Sequence, residues 1–102
     1  MATKNNTYIS SSPIHGKGLF ARLDISRGER IGTFKGSKAK RNSKHTLWVY
    51  DENNNVIGRH GKNNLRFLNH SAKPNAEFDG FELYALRKIR PNEEIVIHYG
   101  WQ

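Results

Sequence analysis

A chain of 102 residues with a hydrophobic content of 35%, a formal charge of +8 and no cysteine is sized for one domain with a thin core. The missing cysteine excludes disulfides, thiolate zinc sites and thiol catalysis, and agrees with a reducing compartment such as the cytoplasm. No apolar run approaches the roughly 18 residues that suggest a membrane span. The opening MATKNNTYISSSP has no apolar signal region, so residues 1–8 are expected to be a flexible lead-in and residues 9–102 a single domain.

Strand signals dominate the chain. GLFARLDI (18–25) and RIGTFKG (30–36) are short apolar runs. The following KGSKAKRNSK holds Lys35, Lys38, Lys40, Arg41 and Lys44 without an aromatic among them, and reads as an exposed, mobile loop. TLWVYD (46–51) and VIGR (56–59) flank an Asn-rich loop that tolerates positive φ, the pattern of a hairpin. NNLRFLNH (63–70) is the one place for a helical turn. GFELYALRKI (80–89) reads as a long alternating strand. EEIVIHYGW (93–101) is the last strand, with Ile95, Ile97, Tyr99 and Trp101 on one face and Val96 and His98 on the other. Ile25-x-x-Gly28-Glu29-x-Ile31 echoes Ile89-x-x-Asn92-Glu93-x-Ile95, with Gly28 and Asn92 supplying the positive φ of one turn used twice.

Isolated motifs say little. The five histidines show no metal-ligand spacing, and His45 and His60 read as turn or surface residues. Gly16-Lys17-Gly18 lacks the third glycine of a dinucleotide fingerprint and the Gly-Lys-Ser/Thr end of a phosphate loop. Its bland meaning is a tight turn and its functional meaning is backbone brought close to a ligand.

Together, GKGLFA (16–21), RFLNHSAKPN (66–75) and EEIVIHYGW (93–101) resemble, in order and spacing, the SET domain of protein-lysine methyltransferases. ISRGERIGTFKG (25–36) resembles that family's turn after its first strand, and the likeness runs from about Ile9 to Trp101, closest to minimal bacterial and viral members. The resemblance implies a mainly β, β-clip-like fold of short sheets with little helix and a threaded C-terminal segment. It implies transfer of a methyl group from S-adenosylmethionine, which leaves as S-adenosylhomocysteine, to a lysine side-chain amine, with no metal. Gly16, Lys17, Gly18 and Leu19 would hold the donor's amino-acid end, Asn69 and His70 its adenine and ribose side, and Trp101 would pack beside it. Tyr99 matches the catalytic tyrosine, while Phe78 and Ile97 match positions that limit the number of methyls. The chemistry agrees: methyl transfer asks for positioning more than acid–base power. A lysine of reference pKa ~10.4 must lose its proton first, which an apolar channel beside a cation promotes.

The departures matter too. Ala72 stands where many members have cysteine, Thr46 where many have tyrosine, so Tyr50 is the candidate replacement in the channel. The zinc-bearing extension of many members has no counterpart in these 102 residues, so Trp101, the substrate or a second copy in a homodimer is expected to close the pocket. The expected partner is a lysine-containing protein, with Glu77, Asp79 and Glu82 as an acidic lane beside the channel. The rival reading is a non-catalytic SET-like basic module whose positive face binds nucleic acid or a protein partner. The expected location is the cytoplasm, or a nucleus if the source is a eukaryote, a virus or a secreted effector.

Overall fold

The computed structural model describes residues 6–99. Among these residues, ten short strands in three small sheets and one 3-10 turn surround a common core. The first sheet has the order β1-β2-β10-β7, from Thr7–Ser11, Lys17–Ala21, Glu94–Ile97 and Asn69–His70. The second is β3-β9-β8, from Arg30–Thr33, Glu82–Ala85 and Ala76–Asp79. The third is β4-β6-β5, from Gly36–Lys38, Val56–Gly61 and Thr46–Tyr50. β1 begins at Thr7, so the first sheet reaches into the segment expected as a lead-in.

The repeated turn organises the centre. Gly28 and Asn92 both have positive φ, at 82° and 68°. In each turn a carboxylate folds back onto the backbone: Ser26 N–H donates to Glu29 Oε1 and Arg90 N–H to Glu93 Oε1, both at 3.0 Å. The two copies then clasp each other. Ile25 and Ile89 exchange both backbone hydrogen bonds at 2.9 Å. Gly28 N–H donates to the Ala85 carbonyl and Asn92 N–H to the Ala21 carbonyl, while Ala85 N–H and Ala21 N–H donate to the carbonyls of Glu29 and Glu93. The strand ending at Ala21 is thus capped by the second turn, and the strand ending at Ala85 by the first. This cross-clasp buries Ala21, Ile25, Ala85, Ile89 and Ile95 together with Leu19 and Leu83. It also explains why the apolar run 18–25 is only a strand to Ala21, and why the long strand expected over 80–89 is confined to Glu82–Ala85. At each alanine the backbone bonds to a turn, which ends the strand pairing there.

Two further expectations change, and one strand is added to them. The basic stretch is not all loop: Gly36–Lys38 pairs with β6, and Ala39 is buried with its N–H on the Gly58 carbonyl. Gly36 permits this because a Cβ there would overlap the His60 carbonyl. Ala76–Asp79 is a strand that forms a two-residue hairpin with β9, Gly80 providing φ 61° at the first turn position. The last strand ends at Ile97, so the alternation expected through residue 101 stops there. The 46–51/56–59 hairpin stands as expected and is extended to Gly61. Asp51 Oδ1 accepts the N–H groups of Asn53 and Asn55, and Asn54 takes φ 64°.

Candidate active site

Segment 68–75 is placed by the C-terminal strand. β7 runs parallel to β10, with Asn69 beside Val96 and His70 beside Ile97, and Ser71 N–H closes the pairing on the Ile97 carbonyl at 2.9 Å. Asn75 locks the crossing. It is 1% exposed, its Oδ1 accepts Val96 N–H and its Nδ2 donates to the Glu94 carbonyl, both at 2.8 Å. Its own backbone N–H reaches the Val96 carbonyl and its carbonyl accepts Leu86 N–H.

Where β10 ends, the chain doubles back on this segment. Tyr99 N–H donates to His70 Nδ1 at 2.9 Å, and Tyr99 Oη donates to the Leu68 carbonyl at 2.8 Å. The rings of His70 and Tyr99 lie 5.2 Å apart, with the His98 ring 4.7 Å from His70 on another side. His70 must leave Nδ1 unprotonated to accept that bond, so its ring proton sits on Nε2. Burial pushes the Tyr99 hydroxyl above its ordinary pKa, keeping it a donor across the neutral range.

Opposite this segment lies the glycine loop. Ser12 N–H donates to the Gly16 carbonyl, Gly16 has φ 47°, and β2 starts at the next residue. Asn69 Nδ2 reaches into the loop, 3.2 Å from the His15 carbonyl and 3.1 Å from that of Lys17. Between loop and segment is a cavity of about 610 Å³, bounded by Ile14, His15, Gly16, Lys17, Asn69 and His70. Its size falls within the roughly 300–1,000 Å³ of small-molecule sites. A second, open cleft of about 1180 Å³ lies between the β5 strand and the β8–β10 side, with Trp48, Tyr50, Phe78 and Ile97 on its walls. The two spaces share Lys44, His45, Arg66, Leu68 and Tyr99 as a common partition.

Most of the expected site residues therefore converge. Gly16, Lys17, Asn69, His70 and Tyr99 bound the smaller cavity; Phe78, Tyr50, Ile97 and Tyr99 line the cleft. Phe78 is held edge-on to Phe34 at 5.9 Å. Tyr50 is 72% exposed at the outer end of β5. Thr46 is tied to His60 Nδ1 at 2.9 Å and to Ser43 Oγ at 2.6 Å. Leu19 stands apart: the strand phase turns its side chain into the core, at 0% exposure. Of the acidic lane, Glu77 and Asp79 are exposed. Glu82 is engaged by Thr33 Oγ1 at 2.7 Å and Arg30 at 3.0 Å, the Thr33 bond first among the contacts that hold its carboxyl below the usual range. Trp101 lies outside the described residues. Sequence reasoning missed the Leu68 carbonyl, which has no side-chain signal, and Glu94, whose only signal was the Glu93-Glu94 pair.

The family model of the SET domain matches residues 16–100. The chain belongs to the SET-domain family. Among curated relatives, an H3 lysine-4 specific histone-lysine N-methyltransferase of Emericella nidulans is 28% identical, aligned over 97% of this chain and 10% of its own length. Human histone-lysine N-methyltransferase 2D is 31% identical over 94% of this chain and 2% of its own. The chain thus spans a small fraction of the curated relatives it matches. Among solved structures, the methyltransferase domain of human histone-lysine N-methyltransferase SETMAR superposes with a TM-score of 0.80 at 20% identity, covering 94% of this chain and 45% of that one. That of human PR domain-containing protein 2 gives 0.73 at 21%, covering 98% and 80%. These superpositions establish the shared mainly β fold of small sheets.

Proposed function

We propose that this SET domain transfers a methyl group from S-adenosylmethionine to a lysine side-chain amine of a protein. The observation that carries the reading is the partition itself: the smaller cavity and the larger cleft meet at Tyr99 and Leu68. Such an arrangement suits two substrates that approach from opposite sides and react across one opening. The donor, when bound, supplies an electrophilic methyl on a sulfonium. Everything else falls to the chain's own groups. The glycine loop and the segment 69–70 would hold the donor, and their chemistry fits it. Backbone carbonyls of the loop can face the donor's cationic end, Lys17, Lys44 and Arg66 on the cavity lining suit its carboxylate, and the loop leaves room for a ligand to lie close to the main chain. Tyr99, kept protonated, would orient the amine and fix the Leu68 carbonyl beside the transferring methyl. Phe78 and Ile97 would exclude water and favour the uncharged amine.

Calorimetry with S-adenosylmethionine tests the donor half of the reading. Micromolar-range binding is expected, and no heat at millimolar donor would remove it. Phe78 gives a second, separable test. If its ring limits the space for methyls, Phe78→Tyr shifts the product toward monomethyl-lysine in mass spectra. Identical product distributions from both proteins would take that role from Phe78. A basic binding module draws support from one observation. Among the described residues the ion pairs Arg30–Glu82 and Arg87–Glu93 involve none of Lys35, Lys38, Lys40, Arg41 and Lys44. Steeply salt-dependent DNA binding without donor affinity would favour that module over the enzyme.

A further inference from the structure

Glu94 belongs to none of the donor or substrate residues above, yet the glycine loop is built around it. Its partly buried carboxylate sits where β1, β2, β7 and β10 come together. Ser12 Oγ donates to it at 2.8 and 2.9 Å, and Asn69 Nδ2 donates to Oε2 at 2.9 Å. That same amide nitrogen faces the carbonyls of His15 and Lys17. Three acceptors crowd one NH₂, and the carboxylate is the strongest of them. Gly18 gives independent testimony. Unlike Gly16 it has no positive φ, so backbone conformation does not require glycine there. Space does: a Cβ would overlap Glu94 Oε2 and lie 3.0 Å from Glu94 Cδ and 3.1 Å from Asn69 Nδ2. The second glycine of the Gly-Lys-Gly turn is the vacancy into which this carboxylate fits.

We infer that Glu94 is a positioning residue for donor binding: its carboxylate fixes the Asn69 side chain against the Gly16–Gly18 loop and so sets the spacing of the two cavity walls. The inference rests on the donor reading above. Glu94 touches no reacting atom; it acts through Asn69 and the loop.

The test is calorimetric titration of the full chain with S-adenosylmethionine, combined with kcat at saturating donor and thermal midpoints. Glu94→Ala leaves Asn69 and the loop without their strongest acceptor and is expected to weaken donor binding about tenfold, with kcat at saturating donor unchanged. Glu94→Gln is expected to recover most of the affinity, because its Oε1 can accept from Asn69 while its Nε2 donates to Ser12 Oγ. Gly18→Ala, which pushes the carboxylate aside, is expected to weaken binding in the natural background and to add almost nothing to Glu94→Ala. Additive penalties, or a Glu94→Ala protein that binds donor as well as the natural one, would overturn the inference. A natural protein that binds no donor would instead overturn the donor reading, and this role with it. Should Glu94→Ala fail to fold, Glu94→Asp decides: it draws the carboxylate back from Asn69 by one methylene, so an unchanged Kd refutes the role, and a raised Kd at constant kcat supports it.

Discussion

Tyr99→Phe is expected to lower methyl transfer by roughly a hundredfold or more while leaving donor affinity and thermal midpoint near those of the natural protein. The reason is local. The phenol donates a hydrogen bond to the Leu68 carbonyl at 2.8 Å, on the partition between cavity and cleft. Removing the oxygen frees that carbonyl and takes away the group that would orient the amine. The ring and the backbone bond to His70 stay, so the segment keeps its place. Labelled-donor turnover and calorimetry on the same preparation check both halves. Turnover within a few-fold of the natural rate would remove Tyr99 from the chemistry, and a parallel loss of donor binding would make its role structural. The pH dependence has a defined sign. Burial raises the native pKa of Tyr99, so the native state holds the proton longer than the unfolded chain. The stability from this group is complete below the unfolded value near ~10 and is lost as pH rises through the native one. Across the neutral range the hydroxyl therefore does not titrate, and any limb in the rate profile there belongs to another group.

Parts of this arrangement were legible in the sequence because they depend on local chemistry. Positive φ at Gly28, Asn92 and Asn54 follows from residue types that tolerate it. The repeated Ile-x-x-Gly/Asn-Glu turn was visible as a string. Its partner was not, because each copy is completed by backbone bonds to the other across most of the chain. The strand Ala76–Asp79 escaped notice for a related reason: Glu77 and Asp79 are exposed, and its pairing depends on the Gly80 turn rather than on its own apolar content. Leu19 looked like part of the glycine motif, but strand phase turns it into the core. Strand phase also separates two adjacent glutamates. Glu93 folds over the turn toward Arg90 and Arg87, whereas Glu94 faces Ser12 and Asn69. Burial alone would raise the Glu93 pKa; its bonds to the Arg90 backbone, Arg87 and Asn75 outweigh that and hold it below the usual range.

Asn75 shows how closely the site depends on the fold, and Asn75→Ala is expected to be the most destabilising single change considered. At 1% exposure its side chain satisfies Val96 N–H and the Glu94 carbonyl, so truncation strands a buried donor and a part-buried acceptor and opens a small void. At about 1–3 kcal/mol for each group left unpaired, the loss is on the order of 2–6 kcal/mol, a large part of the roughly 5–15 kcal/mol that holds a domain together. For a domain near this size that is a fall of at least ~10 °C in midpoint. Asn75→Asp sharpens the mechanism. It keeps the acceptor for Val96 but replaces the donor with a charge facing the Glu94 carbonyl and the Glu93 carboxylate 3.4 Å away. It should therefore destabilise at neutral pH and recover as acid protonates the new carboxyl. Denaturant melts across pH 4 to 8 would show this. A stability loss for Asn75→Asp that does not ease toward acid would mean that shape, not the lost donor, governs the crossing. Since β10 carries both Glu94 and the approach to Tyr99, loosening it should blur the glycine-loop cavity and the Tyr99 partition together. Donor affinity and turnover should then fall in step, unlike the separated losses expected for Glu94→Ala and Tyr99→Phe.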